Sequence, residues 1–110
     1  MGLIFSVDNY DRSVTDDEIE IIDKFFDSMQ WDESNPVVDE VTYGDLMMMA
    51  NFNKRWVYKG SVTTPPCLTN VYWNVLSTIY PIKQEHVDAF KSRLDAATPG
   101  LAEQGNYRLV

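Results

Sequence analysis

The stretch that decides the reading is Tyr58-Lys59-Gly60-Ser61-Val62-Thr63-Thr64-Pro65-Pro66-Cys67. Two hydroxyl residues stand immediately before two prolines. The prolines fix their own backbone and push the preceding residue into extended conformations, and neither has an N–H to give to a sheet ladder. A rigid loop of this kind can aim a hydroxyl at a bound water or an oxyanion. Composition alone favours a blander reading, a stiff turn with satisfied Thr side chains.

Working outward, Lys59-Gly60-Ser61 reads as a turn and Arg55-Trp56-Val57-Tyr58 before it as a strand. After the prolines the chain alternates again, with Val71, Trp73 and Val75 on one face and Tyr72, Asn74 and Leu76 on the other. Tyr80-Pro81-Ile82 ends this strand. A helix follows from about Lys83, with Val87, Phe90 and Leu94 on its apolar side, and Thr98-Pro99-Gly100 breaks it. Asn106 to Val110 reads as a terminal extended piece.

Toward the N-terminus, Pro36 closes a polar turn, and Val37, Val38, Val41 and Tyr43 suggest a short strand. Gly44 to Asn53 reads as irregular, and Met47-Met48-Met49 as gap-filling core. Thr15-Asp16-Asp17-Glu18 is a capping box whose acids also suit the positive end of a helix. Ile19, Ile22, Phe25, Phe26 and Met29 follow at helical spacing, so a helix packs this stripe inward and ends near Met29 to Trp31. Leu3 to Val7 is an apolar strand. It lacks the basic flank and small-residue cleavage site of a signal peptide, and a mature protein seldom begins abruptly on such a strand.

The 110 residues suit one small domain or a piece of a larger one. A net charge of −8, from nine Lys and Arg against seventeen Asp and Glu, argues against binding nucleic-acid phosphates or an anionic membrane. No apolar run approaches the ~20 residues that cross a bilayer, so membrane insertion is not expected. The acids concentrate between Asp8 and Asp45, as on a solvated face. An EF-hand fails in both registers tried, because the twelfth position falls on Ile19 or Ile22.

The single cysteine, Cys67, reads as a small buried apolar residue, or as half of a disulfide to a Cys outside this chain. The single histidine, His86, has no His or Cys at ligand spacing and reads as a solvated helix residue, so no metal ligand is assigned here. The architecture is α+β and mainly β, with two outer helices. Few, apolar strands would leave long unpaired edges, which implies that something covers them.

Tyr58 to Cys67 resembles the Y-x-G-S-L-T-T-P-P-C signature of α-class carbonic anhydrases. Val71-Tyr72-Trp73-Asn74-Val75-Leu76 is similar to that family's V-x-W-x-V-L strand. Ile82, Glu85, Val87 and Phe90 resemble its following helix, and Asn106-Tyr107-Arg108 its N-x-R near the C-terminus. The order and spacing hold over nearly the whole chain, which corresponds to the C-terminal half of one such domain.

The resemblance implies a twisted, largely antiparallel central sheet with peripheral helices. It implies a zinc-dependent lyase that reversibly hydrates carbon dioxide to bicarbonate and a proton, the metal lowering the pKa of its water to about 7. By position, Thr63 would be the catalytic threonine that accepts the hydrogen bond of the zinc-bound hydroxide, and Thr64 would contact bicarbonate. Val62, Val71 and Trp73 would line the carbon dioxide pocket, with Val62 departing from the usual Leu. Asn106 and Arg108 look structural.

The family's three zinc histidines, the Glu that orients its threonine and its proton-shuttle histidine all lie upstream of Met1 by this correspondence, and His86 matches none of them. Zinc is therefore expected only in a complete domain, and this chain alone is expected to be inactive. Its partner would be the missing N-terminal half, or another chain covering the sheet edge. Cys67 falls where many secreted members carry one half of a disulfide. Such a bond would place the protein in a secretory, extracellular or organelle-lumen compartment. The alternative function is a non-catalytic, carbonic-anhydrase-related structural subunit of a larger assembly.

Overall fold

A computed structural model describes residues 1–31, 33–38 and 40–97. The elements run β1 (Gly2–Ser6), α1 (Asp16–Asp27), α2 (Tyr43–Met49), β2 (Arg55–Ser61), β3 (Thr69–Pro81) and α3 (Gln84–Ala97). The Thr98-Pro99-Gly100 break and the Asn106 to Val110 segment lie outside the described residues.

The three strands make one open sheet in the order β1-β3-β2. β1 lies parallel to β3, with Phe5 opposite Tyr80 and Ile4 opposite Ile79. β2 lies antiparallel to β3 over a longer register, from Arg55 opposite Leu76 to Ser61 opposite Thr69. The fold is α+β, as expected, with the antiparallel pair the more extensive. The chain reaches a parallel β1–β3 pairing through α1, α2 and β2, because parallel neighbours need a long crossover.

Side chains alternate between the two faces of a strand, so the register sorts the sheet. Leu3, Phe5 and Tyr80 point to the face where Ile22 of α1 and Leu46 of α2 complete the core, flanked by Val14, Phe25, Phe26, Met47 and Met49. Phe5 meets Phe26 edge-on at 5.3 Å between ring centroids. The other face carries Ile4, Val75, Trp73 and Val71, with Trp56 and Tyr58 of β2 opposite Val75 and Trp73. The helices gather on the first face.

The start of α1 follows the sequence reading closely. Thr15 is the N-cap, its hydroxyl accepts from the Glu18 N–H, and the Glu18 carboxylate accepts from the Thr15 N–H at 2.8 Å. The helix stops two residues earlier than expected. Ser28 caps it, with its hydroxyl donating to the Phe25 carbonyl at 2.7 Å, and Gln30 then turns at φ 49°.

Three expectations are corrected. Among the described residues between Val37 and Tyr43 no strand forms; Val37 and Val38 are exposed and Tyr43 opens α2 instead. Leu46 and Ala50, one helical turn apart, are both buried, and Leu and Met are good helix formers, so a short helix wins over an isolated β-branched run. The methionines are accordingly not uniform filler, for Met47 and Met49 border the core while Met48 is 87% exposed. Lys59-Gly60-Ser61 is not a turn either. It continues β2, with a register shift between Gly60 and Ser61 where the strand gives way to the loop.

Candidate functional site

The hydroxyl loop joins β2 to β3. It is closed at its base by the Val62 N–H donating to the Leu68 carbonyl at 2.9 Å, and tightened inside by the Cys67 N–H donating to Thr64 at 2.8 Å. The Pro65–Pro66 bond is cis, and Cys67 and Asn70 take positive φ on the way into β3. Prolines remove donors and fix φ here, so the turn is shaped by the few N–H groups that remain. Thr63 and Thr64 are exposed, and Val62 is exposed beside them.

Below the loop the register sets a wall. Val71 lies opposite Gly60 and Trp73 opposite Tyr58, so all four stand on the same sheet face. Trp73 Nε1 donates to the Ser61 carbonyl at 3.0 Å, which ties the indole to the last residue of β2. A Cβ placed on Gly60 would sit 3.1 Å from Trp73 Cδ1 and 3.3 Å from Tyr58 Cε2. Gly60 therefore serves close aromatic packing, a role the sequence reading missed by taking it as a turn. The usable signal was its place two residues after Tyr58 on a face that alternates with period two.

Of the residues singled out from sequence, Val71 and Trp73 are brought together on this half-buried wall, while Val62, Thr63 and Thr64 project from the loop above it. Cys67 is a free thiol, half-buried rather than fully buried. The cavities at the α1–α3 seam and in the apolar groove are lined by other residues.

His86 departs from expectation. It is 7% exposed, stacked on Phe26 of α1 at 5.5 Å and 28°, and so is a packed residue between α1 and α3 rather than a solvated one. The inward side of α3 is turned by about one residue from the predicted stripe, because Phe90 is 48% exposed. Among the described residues no group of three His, Cys, Asp or Glu side chains is placed to hold a metal ion. Catalytic zinc needs three protein ligands. With one histidine in the chain, itself buried against Phe26, the described residues do not fit that metal.

Among the described residues two side chains have displaced titrations, both away from the loop. The Ser13 backbone N–H and then its hydroxyl bond to Asp11 and hold that carboxyl below its ordinary value, with Lys54 helping. The hydrogen bond from Lys83 to Asp23 raises the Lys83 ammonium above its usual value.

The described residues form an open α+β sheet whose β2–β3 loop carries paired threonines. The chain belongs to the eukaryotic-type carbonic anhydrase family, whose pattern matches residues 1–110. No individual curated protein matches it significantly.

Proposed function

We propose that this chain supplies the substrate side of a carbonic anhydrase domain, and that the metal-binding side comes from outside the chain. The observation that carries the reading is the loop and its support. Thr63 and Thr64 stand exposed on a loop anchored by the Val62–Leu68 bond, above a wall where Trp73 is fixed to Ser61.

In this reading Thr63 accepts a hydrogen bond from the attacking oxygen, which turns that oxygen's lone pair toward the carbon of carbon dioxide. Thr64 contacts the bicarbonate product. Val62, Val71 and Trp73 give the apolar surface against which carbon dioxide lies, where a neutral molecule displaces water at little cost. The chain by itself performs no hydration, because one buried histidine does not hold zinc.

Exposed Trp56, Tyr58, Val57 and Tyr72, together with the outer edge of β2, unpaired among the described residues, favour a covering partner. That partner is the other half of the domain in the catalytic reading. It is an assembly scaffold in the second reading, a non-catalytic structural subunit.

Native mass spectrometry of the protein from its source, with carbon dioxide hydration measured on the same sample, separates these. One zinc per complex and hydration activity support the proposal. A chain of 12.7 kDa in a zinc-free, inactive complex supports the structural subunit and overturns the catalytic reading.

A further inference from the structure

β2 ends the sheet, and among the described residues only β3 lies beside it. The register places Arg55 and Lys59 on one face, opposite Leu76 and Tyr72, and Trp56 and Tyr58 on the other, opposite Val75 and Trp73. Trp56 is 59% exposed and Tyr58 54%. The strand runs for seven residues without a proline. Its outer row of backbone N–H and C=O groups is therefore open to a further strand.

Charge narrows what that strand is. Residues 46–84 contain no Asp or Glu, yet hold Lys54, Arg55, Lys59 and Lys83, in a chain of net charge −8. Lys83 is taken by Asp23. Among the described residues neither Arg55 nor Lys59 has a carboxylate partner. Arg55 is braced along the sheet, its Nε donating to Asn74 at 3.0 Å and one terminal nitrogen to the Phe52 carbonyl. Two such edges brought together would set cations of like sign on one face, so a second copy of β2 is a poor occupant. Arg55 and Lys59 lie four residues apart, about 13 Å along a strand, and carboxylates at the same spacing would meet both.

We propose that the outer edge of β2 receives an acidic strand of another polypeptide. Two of its carboxylates, four residues apart, pair with Arg55 and Lys59, and the apolar residues alternating with them lie against Trp56 and Tyr58 on the opposite face. Backbone pairing supplies the attachment, and the charges select the strand and its register. The inference rests on the reading that a partner covers this edge, and adds the chemistry by which that partner is recognised.

Carbodiimide cross-linking of the native protein from its source tests this, because it joins an amine to a carboxylate only where the two are in contact. Peptide mapping is expected to find Lys59 joined to an Asp or Glu of another polypeptide. A Lys59 left unlinked would overturn the proposal, as would a link to an acid of this chain or of a second copy. Lys59→Glu should then weaken the complex with the cross-linked polypeptide about three- to tenfold, the range set by one exposed ion pair. Lys59 is exposed, so the reversal leaves the fold intact. Changing the linked acid to Lys in the Lys59→Glu background should restore the affinity, and a charge swap without recovery would overturn the pairing. An active, zinc-containing complex with Lys59 unlinked would sink the acidic strand and leave the catalytic reading standing. A linked Lys59 in a zinc-free, inactive complex would do the reverse.

Discussion

Trp73 hangs its indole from the carbonyl of Ser61, at 3.0 Å, and so couples the middle of β3 to the end of β2 just where the hydroxyl loop begins. The bond fixes both the ring and the base of the loop. Trp73→Phe keeps an aromatic ring on the wall and removes the donor. It is expected to cost about 1 kcal/mol, the usual net worth of one hydrogen bond. For a chain of this size that lowers the melting temperature by roughly 4–8 °C. An unchanged melt would mean that the Ser61 carbonyl finds water as good a partner.

Gly60→Ala tests the same wall from below. The new methyl would meet Trp73 Cδ1 at 3.1 Å and Tyr58 Cε2 at 3.3 Å. Tyr58 is half-exposed and can swing aside, whereas the tether to Ser61 limits Trp73. The expected cost is about 1 kcal/mol, at the low end for overpacking. The two substitutions should couple, so that Gly60→Ala costs less in the Trp73→Phe background. Additive melting shifts in the double variant would place the strain on Tyr58 alone.

Asp11 gives the chain an acid-sensitive tie. Its carboxylate accepts the Ser13 N–H at 2.9 Å and the Ser13 hydroxyl at 2.8 Å, while its own N–H donates to Ile79 of β3 at 2.8 Å. The two bonds from Ser13 lower its pKa from the ordinary 3.8, so the native state binds the proton more weakly than the unfolded chain. The stability it contributes is present above 3.8 and is lost as pH falls through the depressed value. Asp11→Asn should be less stable than the parent at neutral pH, with the gap closing in acid. Denaturant midpoints taken across the acid range read this, and a gap that stays constant with pH would remove the carboxylate from the explanation.

Much of the frame was legible because local signals and tertiary demands agreed. The Thr15–Glu18 box starts α1 where it should, and the alternation through Val71, Trp73 and Val75 marks the middle of β3. The misses share a cause, which is that packing across elements outweighed a local cue. Gly60 resembled a turn residue, but it is a strand residue kept small by the indole opposite it. Leu46 and Ala50 carried a helical spacing hidden by the methionine run. His86, with no His or Cys at ligand spacing, reads as solvated from sequence, and only the docking of Phe26 from a distant helix buries it. The roles proposed for the loop residues come only from the motif, since exposure alone does not distinguish Thr63 from any loop threonine.

The role proposed for Thr63 is tested in the complete, zinc-loaded enzyme. A single positioned hydroxyl contributes to rate only if its hydrogen bond strengthens as charge moves in the transition state. Thr63→Ala should therefore lower kcat by about 10²-fold, at the low end for loss of one preorganised polar group, and leave zinc stoichiometry unchanged. Thr63→Ser keeps the hydroxyl and loses only the methyl, so it should recover most of the rate. The hydroxyl sits on a loop held by the Val62–Leu68 bond, and the alanine has no reason to unfold it. Equal turnover in the alanine and parent enzymes would refute the assignment. A serine variant as slow as the alanine would show that the methyl's packing, rather than the hydroxyl, is what the site requires.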